Sequence, residues 1–317
     1  MEIFLFSFNA IAPILFIMAL GWFIFWRGHI GENDKLFLNK LCFKYLMPFQ
    51  LFGSTISIDF YAEFNLKMVL FCSISILLIA IIAWLIFTWT IKDRAKRCIF
   101  IVSSFRSNNI IYALPLAINL FGEAGLKAAA MLIPITIIMF NLLSVIAMVY
   151  FSQNNDSDMK KALKYTFVEI LKNPLIVSSC LGIIMSISYL QLPIFLNRGV
   201  MTIGTLAPPM ALLLLGSQID IKKLTGNIKP VFGACLIRLI IIPAILAPLM
   251  VYMGFRGPVL GALLVAFAAP CGVSNMIMAK NYNVAPAFAA QTVYLTTILS
   301  LPTMFFIISL FRALELF

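Results

Sequence analysis

Long apolar segments separated by short polar connections run from one end of the chain to the other. Ten such segments, each of at least 19 residues, can be counted. A helix rises about 1.5 Å per residue, so about 20 apolar residues span the hydrocarbon core of a bilayer. The pattern therefore predicts an all-α polytopic membrane protein with ten transmembrane helices. Their predicted bounds are 4–26, 36–57, 66–90, 97–121, 126–151, 171–189, 198–219, 229–253, 258–280 and 286–312.

The fourth apolar segment contains polar residues at a depth where hydrocarbon would surround a spanning helix. Within 97–121, the sequence Arg-Ser-Asn-Asn at 106–109 precedes Pro115. Proline cannot donate a backbone hydrogen bond and clashes with the preceding turn, so we expect the helix to break at Pro115. Irregular polar backbone at that depth is tolerated where it is buried in protein or lines a cavity. The segment therefore predicts one half of a binding site.

The two halves of the chain resemble each other when one is shifted by 161 residues. The same shift carries the third to fifth apolar segments onto the eighth to tenth. Each half holds five spans, an odd number, so the second half is predicted to lie inverted in the membrane, as in many secondary transporters. The predicted units are a first repeat at 1–151, a cytoplasmic linker at 152–165 and a second repeat at 166–317. The landmarks that coincide are Pro13 with Pro174, Gly21 with Gly182, Pro48 with Pro209, and Asp59 with Asp220.

The ninth segment supplies the second half of the predicted site. It contains Pro270, followed by a cysteine, a glycine, a valine, Ser274 and Asn275. Proline-interrupted segments at matching places in two inverted halves point to a site near the bilayer midplane. The half-helices that follow such breaks direct the positive ends of their dipoles toward anionic ligands.

Composition and charge placement narrow the class of protein. Hydrophobic residues make up 62% of the 317 residues and charged residues 11%, which leaves no room for a soluble domain. The first segment is too long for a cleavable signal peptide and lacks a basic n-region. The net charge of +11 does not indicate a nucleic-acid-binding protein, because the basic residues are unevenly placed. Fourteen Lys and Arg residues fall in the connections on one side of the membrane, and five fall on the other side. This positive-inside bias predicts that both termini lie outside.

Five short motifs occur in order along the chain and resemble the auxin efflux carrier family, which includes plant auxin exporters and bacterial malate or malonate permeases. The resemblance runs the full length and implies a bacterial member in the cytoplasmic (inner) membrane. The motifs are Arg106-Ser-Asn108 through Pro115, Lys172-Asn-Pro174-Leu-Ile, Ala207-Pro-Pro209 through Gly216, Ala269-Pro270 through Asn275, and Thr296-Thr-Ile-Leu-Ser300-Leu-Pro302.

The resemblance also implies an architecture. Helices 4 and 9 of a 5+5 inverted repeat would break at their prolines and cross, a fold shared with bile-acid symporters. Helices 3–5 and 8–10 would form a mobile transport unit against a scaffold of helices 1, 2, 6 and 7, through which a homodimer could form. Asn108 and Asn275 would be the crossover asparagines that face a substrate carboxylate. The family usually has glycines where this chain has Ile110 and Ala113, so relatives do not define its substrate.

The ionisable residues inside the apolar segments are all basic. The twelve carboxylates lie at segment ends or in connections, whereas Arg106 and Arg238 lie within segments. Cationic and amide donors without an acid favour an anion. The predicted substrate-binding residues are Arg106, Asn108, Asn109, Tyr112, Pro115, Pro270, Ser274, Asn275, Gln50 and Gln291, with Ser54, Gln218 and Tyr294 as further polar positions.

Several of these residues have two interpretations at this stage. Arg106 either contacts or gates the ligand, or it extends to the interface or caps carbonyls freed by the break. Arg238 either anchors a pair of helices or serves transport directly. The asparagines either bind substrate or satisfy the backbone of the broken helices.

The favoured function is export of a small organic anion, a mono- or dicarboxylate, by a secondary transporter. A sodium-coupled symporter of the bile-acid type is the first alternative, and a receptor or sensor for the anion is the second. Coupling to Na+ or H+ is left open, and no cofactor is expected. An enzyme is disfavoured because the sequence has no Ser/His dyad, paired aspartates or H-E-x-x-H. The six cysteines form no C-x-x-C pair, so no metal site is predicted.

Overall fold

The computed structural model describes residues 1–152, 158–220 and 228–317. Residues 153–157 of the predicted linker, and Lys222 and Lys223, lie outside the described residues. Within these ranges the chain is helical with short connections. The helices are α1 (Glu2–Trp26), α2 (Glu32–Leu41), α3 (Met47–Ile56), α4 (Phe60–Glu63), α5 (Leu66–Thr90), α6 (Arg94–Phe105), α7 (Leu114–Phe151), α8 (Met159–Leu171), α9 (Pro174–Ile187), α10 (Ile194–Thr205), α11 (Ala207–Ser217), α12 (Lys229–Leu236), α13 (Ile242–Tyr252), α14 (Gly257–Ala268), α15 (Ser274–Asn281) and α16 (Pro286–Ala313).

The helices identify a multi-pass membrane protein. In the described part of the chain, six helices are long and apolar enough to cross a membrane, and up to seven if the α8–α9 pair, bent by 49°, counts as one span. Several predicted spans are built from shorter pieces, such as α2 with α3 and α14 with α15. The run Asn109–Phe151 changes direction at Gly122, whose φ of 58° favours glycine.

In the parts of the chain that the structure describes, three π-helical turns precede prolines within the apolar helices. They are Cys42–Leu46 before Pro48, Asn109–Ala113 before Pro115, and Ile237–Ile241 before Pro243. Proline removes one backbone donor and crowds the carbonyl four residues earlier, and a π-turn shifts the bonding to i→i+5. In the second turn, the N–H of Ala113 donates to the carbonyl of Asn108 at 3.1 Å.

The prediction that the fourth apolar helix breaks at Pro115 is therefore wrong. The helix ends at Phe105 and helical structure resumes at Asn109, so the break lies before the proline. Pro115 is buried within the first turns of the following helix. The widened π-turn accommodates the proline, so the chain continues as a helix through it.

Close packing of α1 on α11 depends on two glycines. A Cβ added at Gly21 would lie 2.0 Å from the carbonyl oxygen of Leu213, and one at Gly216 would lie 1.9 Å from that of Met18. A similar approach joins α9 to α3, where a Cβ at Gly182 would lie 1.9 Å from the Thr55 hydroxyl oxygen. Small residues at such contacts let helix backbones approach closely in membranes.

Replacing Gly21 by alanine is expected to destabilise the protein. The added methyl group meets backbone that belongs to another helix, so α1 and α11 must separate, at a cost of about 1–2 kcal/mol. Denaturant titration in detergent measures the change. Gly199→Ala is the matched control, because Gly199 is exposed on α10 with nothing within 4 Å of the added Cβ. Equal stability of the two variants would contradict the role of close packing.

Candidate substrate site at the helix crossover

Two helices are interrupted at the centre of the site. The first interruption, residues 106–108, separates α6 from the π-turn that leads into α7. The second, residues 269–273, separates α14 from α15 and contains Pro270. We call these two segments together the crossover. Each interruption leaves backbone donors and acceptors that no longer have partners within a helix.

The two interrupted segments satisfy part of this requirement by pairing with each other. Ser107 and Cys271 form an antiparallel bridge. The N–H of Asn108 donates to the carbonyl of Pro270 at 2.9 Å, and the N–H of Gly272 donates to the carbonyl of Arg106 at 3.2 Å. This reciprocal pairing fixes the two breaks against each other, so the four helix ends meet in one place.

The side chain of Arg238 satisfies further carbonyls at the crossover. It is fully buried on the π-turn Ile237–Ile241. Its guanidinium donates to the carbonyl oxygens of Ser104 at 2.8 Å, Ala269 at 2.9 Å and Ala266 at 3.2 Å. Arg238 therefore joins the C-terminal ends of α6 and α14, as the anchoring interpretation predicted.

Helix α16 also supports the crossover. The backbone N–H of Cys271 donates to the hydroxyl oxygen of Thr296 at 3.2 Å. Thr296 is fully buried and belongs to a row of buried hydroxyl residues on this helix, together with Thr292 and Ser300. The backbone of the second interruption is thus bound from two sides, by Arg238 and by α16.

Arg106 is bound to the second half of α7 and does not extend to an interface. Its Nη1 donates to the carbonyl of Phe140 at 2.8 Å and to the hydroxyl of Ser144 at 3.0 Å, while Nη2 donates to Oδ1 of Asn141 at 2.9 Å. The side chain is buried but borders the cavity described below. These contacts favour a structural role, in which Arg106 ties the first interruption to α7.

The two crossover asparagines contain amide atoms that lack a hydrogen-bond partner within the described structure. They are Nδ2 of Asn108 and both Nδ2 and Oδ1 of Asn275, and these side chains are 4% and 1% exposed. A buried polar atom left without a partner costs about 1–3 kcal/mol. Asn109 differs, because its Oδ1 accepts from the hydroxyl of Ser107. These unpartnered amide atoms are therefore free to bind a ligand.

A cavity of about 2310 Å³ extends from the crossover to one end of the molecule. Its inner wall includes both interruptions, from Arg106 to Asn109 and from Gly272 to Ser274. Its outer part is lined by residues of the α1–α2 connection, of α8 and α9, and of the C-terminal end of α11. The volume admits water and a small organic molecule together.

The outer part of the cavity contains both signs of charge. Lys35, Lys172 and Lys280 line it together with Glu32, Glu169 and Asp220. Nearby, burial and secondly the Glu169 carboxylate raise the pKa of the Tyr282 phenol. By contrast, among the described residues the buried charged side chains are two arginines and no carboxylate. The inner end of the cavity is therefore the electropositive end.

The structure brings part of the predicted site together. Within the described residues, four predicted positions line the cavity: Arg106, Asn108, Asn109 and Ser274. Gln218 and Tyr294 line it as well. The predicted positions outside the cavity lining are Tyr112, Pro115, Pro270, Asn275, Gln50 and Gln291. Of these, Pro270 is part of the crossover, Asn275 lies two residues after it on α15, and Gln50 is buried on α3 with an unpartnered Oε1.

The partners of Arg106 were not predicted from the sequence. Asn141 and Ser144 are polar residues within the apolar segment 126–151. Their spacing of three places them on one face of a helix, which is a detectable signal for a shared polar partner. Carbonyl acceptors such as those of Arg238 give no such signal, because every residue has one.

Within the described ranges, no group of three or more His, Cys, Asp or Glu side chains is placed to hold a metal ion. The crossover instead places side-chain amide groups and helix ends at the inner end of a wide cavity. Such a site can bind a small molecule reversibly.

Comparison with known proteins matches residues 6–308 to the model of a family described as membrane transport protein. The chain belongs to this family. The auxin efflux carrier resemblance, based on five motifs, is thereby confirmed. The family consists of membrane transporters and not of enzymes, so the general function of this family member is transport across a membrane.

Similar proteins are found in archaea and plants. An uncharacterised transporter of Methanocaldococcus jannaschii is 22% identical over 301 residues, covering 92% of this chain and 95% of its own length. An uncharacterised transporter of Methanothermobacter thermautotrophicus is also 22% identical, covering 94% and 96%. A probable auxin efflux carrier component 1b of Oryza sativa is 29% identical over 141 residues. That match covers 42% of this chain and 25% of the plant protein.

Proposed function

We propose that this transporter carries a small organic anion, such as a mono- or dicarboxylate, by alternating access across a bacterial cytoplasmic membrane. The proposal rests on the side-chain amides of Asn108 and Asn275, which have unpartnered atoms in the described structure. Two arginines are buried in the described part of the protein, and no carboxylate is buried there. A carboxylate accepts hydrogen bonds from amide nitrogens and is stabilised by the positive ends of helices. A cation would meet no opposite charge there.

The proposed architecture is a 5+5 inverted repeat of ten spans, with α6 and α14 as the first halves of the broken spans four and nine. Equivalent helix contacts support it. The shift of 161 residues takes Gly21 to Gly182 and Thr55 to Gly216. The close contact of α1 with α11 uses Gly21 and Gly216, and that of α9 with α3 uses Gly182 and Thr55. The contact between Gly21 and Gly216 is thus equivalent to the contact between Gly182 and Thr55, with the first and second repeats exchanging roles.

The cavity supports an assignment of the conformation. It reaches the connections that contain most of the Lys and Arg residues, which the positive-inside rule assigns to the cytoplasm. Near the opposite end, Lys127 on α7 pairs with Glu63 on α4 at 3.0 Å. We therefore interpret the structure as open to the cytoplasm, with both termini outside. A negative interior drives an anion outward by about 2.3 kcal/mol per charge per 100 mV, which favours export.

Binding measurements on purified protein test the assignment. Benzoate, a monocarboxylate, and malonate, a dicarboxylate, are suitable probes. We expect Asn108→Ala and Asn275→Ala each to weaken binding about tenfold, because each removes amide hydrogen bonds worth about 1.4 kcal/mol. Asn39→Ala is the matched control, since Asn39 lines the outer cavity and donates to the carbonyl of Lys35. Undiminished affinity in both crossover variants would refute the assignment.

A sodium-coupled symporter is the second candidate, and one atom favours it. Oδ1 of Asn275 is a buried oxygen without a partner in the described structure, and sodium binds such oxygens. Replacing sodium by choline in the same binding assay separates the two candidates. Affinity that does not depend on sodium supports the uncoupled carrier. A homodimer through helices 1, 2, 6 and 7 stays a prediction.

A further inference from the structure

The carbonyl groups that Arg238 contacts are those that the two breaks leave without helical partners. In a continuous helix the carbonyl of Ala266 would accept from residue 270, but Pro270 has no N–H. The carbonyl of Ser104 would accept from Asn108, whose N–H is donated to Pro270. Arg238 donates to both orphaned carbonyls. Its position is therefore matched to the crossover and not to one helix alone.

The helix ends at the crossover balance one another electrically. The C-terminal ends of α6 and α14 each carry about half a negative charge, and the N-terminal ends of the two helices that follow each carry about half a positive charge. These four ends sum to about zero. Among the described residues no buried carboxylate adds to them. The positive charges of Arg106 and Arg238 change this balance, and that of Arg238 is completely buried and so poorly screened by water.

Arg106 differs in where its charge lies. Its guanidinium is directed to α7, where it meets Phe140, Asn141 and Ser144, and it borders the wide cavity. Water in that cavity screens the charge. Arg238 lies on the other side, among the ends of α6 and α14, and does not line the cavity within the described residues.

We propose that Arg238 is a positioning residue whose fixed charge gives the crossover its preference for anions over neutral molecules, without contacting the ligand. The proposal rests on the proposed anion site. Arg238 holds the two half-helix ends together through their carbonyls, and it adds to the crossover a positive charge that does not border the cavity. The asparagine amides then donate hydrogen bonds that neutral and anionic ligands can both accept. The charge of Arg238 makes the site prefer the anionic ligand.

Pairs of ligands that differ in charge but not in shape test this proposal. Affinities of the full-length protein in detergent are measured for benzoate against benzamide and for malonate against malonamide. In Arg238→Gln we expect the preference for the carboxylate to fall about tenfold, which is about 1.4 kcal/mol. Arg238→Lys keeps the positive charge and is expected to keep the preference for the carboxylate. This holds even if losing the planar guanidinium lowers the affinity for both ligands of a pair. Purely structural damage would lower both affinities of a pair and leave their ratio unchanged.

A second variant leaves the arginine in place. Cys271 is buried at the crossover, two residues after Ala269, whose carbonyl accepts from Arg238. Cys271→Asp places a carboxylate beside the guanidinium and is expected to lower the preference as Arg238→Gln does, whereas Cys271→Asn, of the same size but uncharged, keeps it. This pair decides the question if Arg238→Gln does not fold. A preference retained in folded Arg238→Gln or Cys271→Asp would overturn the inference. A wild-type protein without any preference would overturn the proposed anion site as well.

Discussion

Asn108→Asp is expected to weaken benzoate binding by at least about 100-fold, the largest change in affinity that we predict for a single substitution. The variant exchanges an unpartnered amide nitrogen at the inner end of the cavity for a carboxylate oxygen of the same size. A bound carboxylate would then lose a donor and face a like charge in a partly desolvated site. Like-charge contacts of this kind cost several kcal/mol. Isothermal titration of the purified variant measures the loss.

The control for this substitution uses the same cavity. Asn39 lies on its wall near the outer end, and its amide donates to the carbonyl of Lys35 at 2.8 Å. Asn39→Asp adds the same charge far from the crossover, where water and three lysines screen it. We expect its benzoate affinity to stay within about threefold of wild type. A comparable loss in both variants would mean that general charge repulsion in the cavity, and not the crossover, decides binding.

The sequence predicted the apolar helices and the two polar interruptions because both are local patterns. Hydrophobic runs and the prolines near them can be read directly. The position of the first break could not be read in this way. It is fixed by the pairing of Asn108 with Pro270 across a sequence separation of more than 150 residues, while Pro115 is absorbed by a π-turn. A proline therefore marked the correct helix but not the correct residue.

The roles of the two intramembrane arginines show the same limit. Both were evident from sequence as charges in apolar segments, and neither could be assigned partners. Arg238 binds backbone carbonyls, which have no sequence signature, so its link to both breaks depends on tertiary structure. Arg106 binds Asn141 and Ser144, whose spacing could have been noticed. The sequence thus defined where charge lies, and the fold determined which groups each charge binds.

The contacts of Arg106 lead to a second large effect, this time on stability. Arg106→Met removes donors from the carbonyl of Phe140, the hydroxyl of Ser144 and the amide oxygen of Asn141 in the protein interior. Buried acceptors left unpaired cost about 1–3 kcal/mol each, but the two side chains can reorient, so we expect a loss of about 2–4 kcal/mol. Denaturant titration in detergent measures it. Arg198→Met, at an exposed arginine on α10, is the control and should change stability little.

The same variant separates the two interpretations of Arg106 that the sequence left open. If Arg106 bound the substrate directly, Arg106→Met would lose a charged contact worth about 2–5 kcal/mol, and folded protein would bind benzoate at least about 30-fold more weakly. Because its donors are directed to α7, we expect folded Arg106→Met to retain affinity within about threefold. Asn141→Leu should reproduce part of the stability loss without altering the charge. A stable Arg106→Met that no longer binds carboxylates would reverse the assignment and make Arg106 a ligand-binding residue.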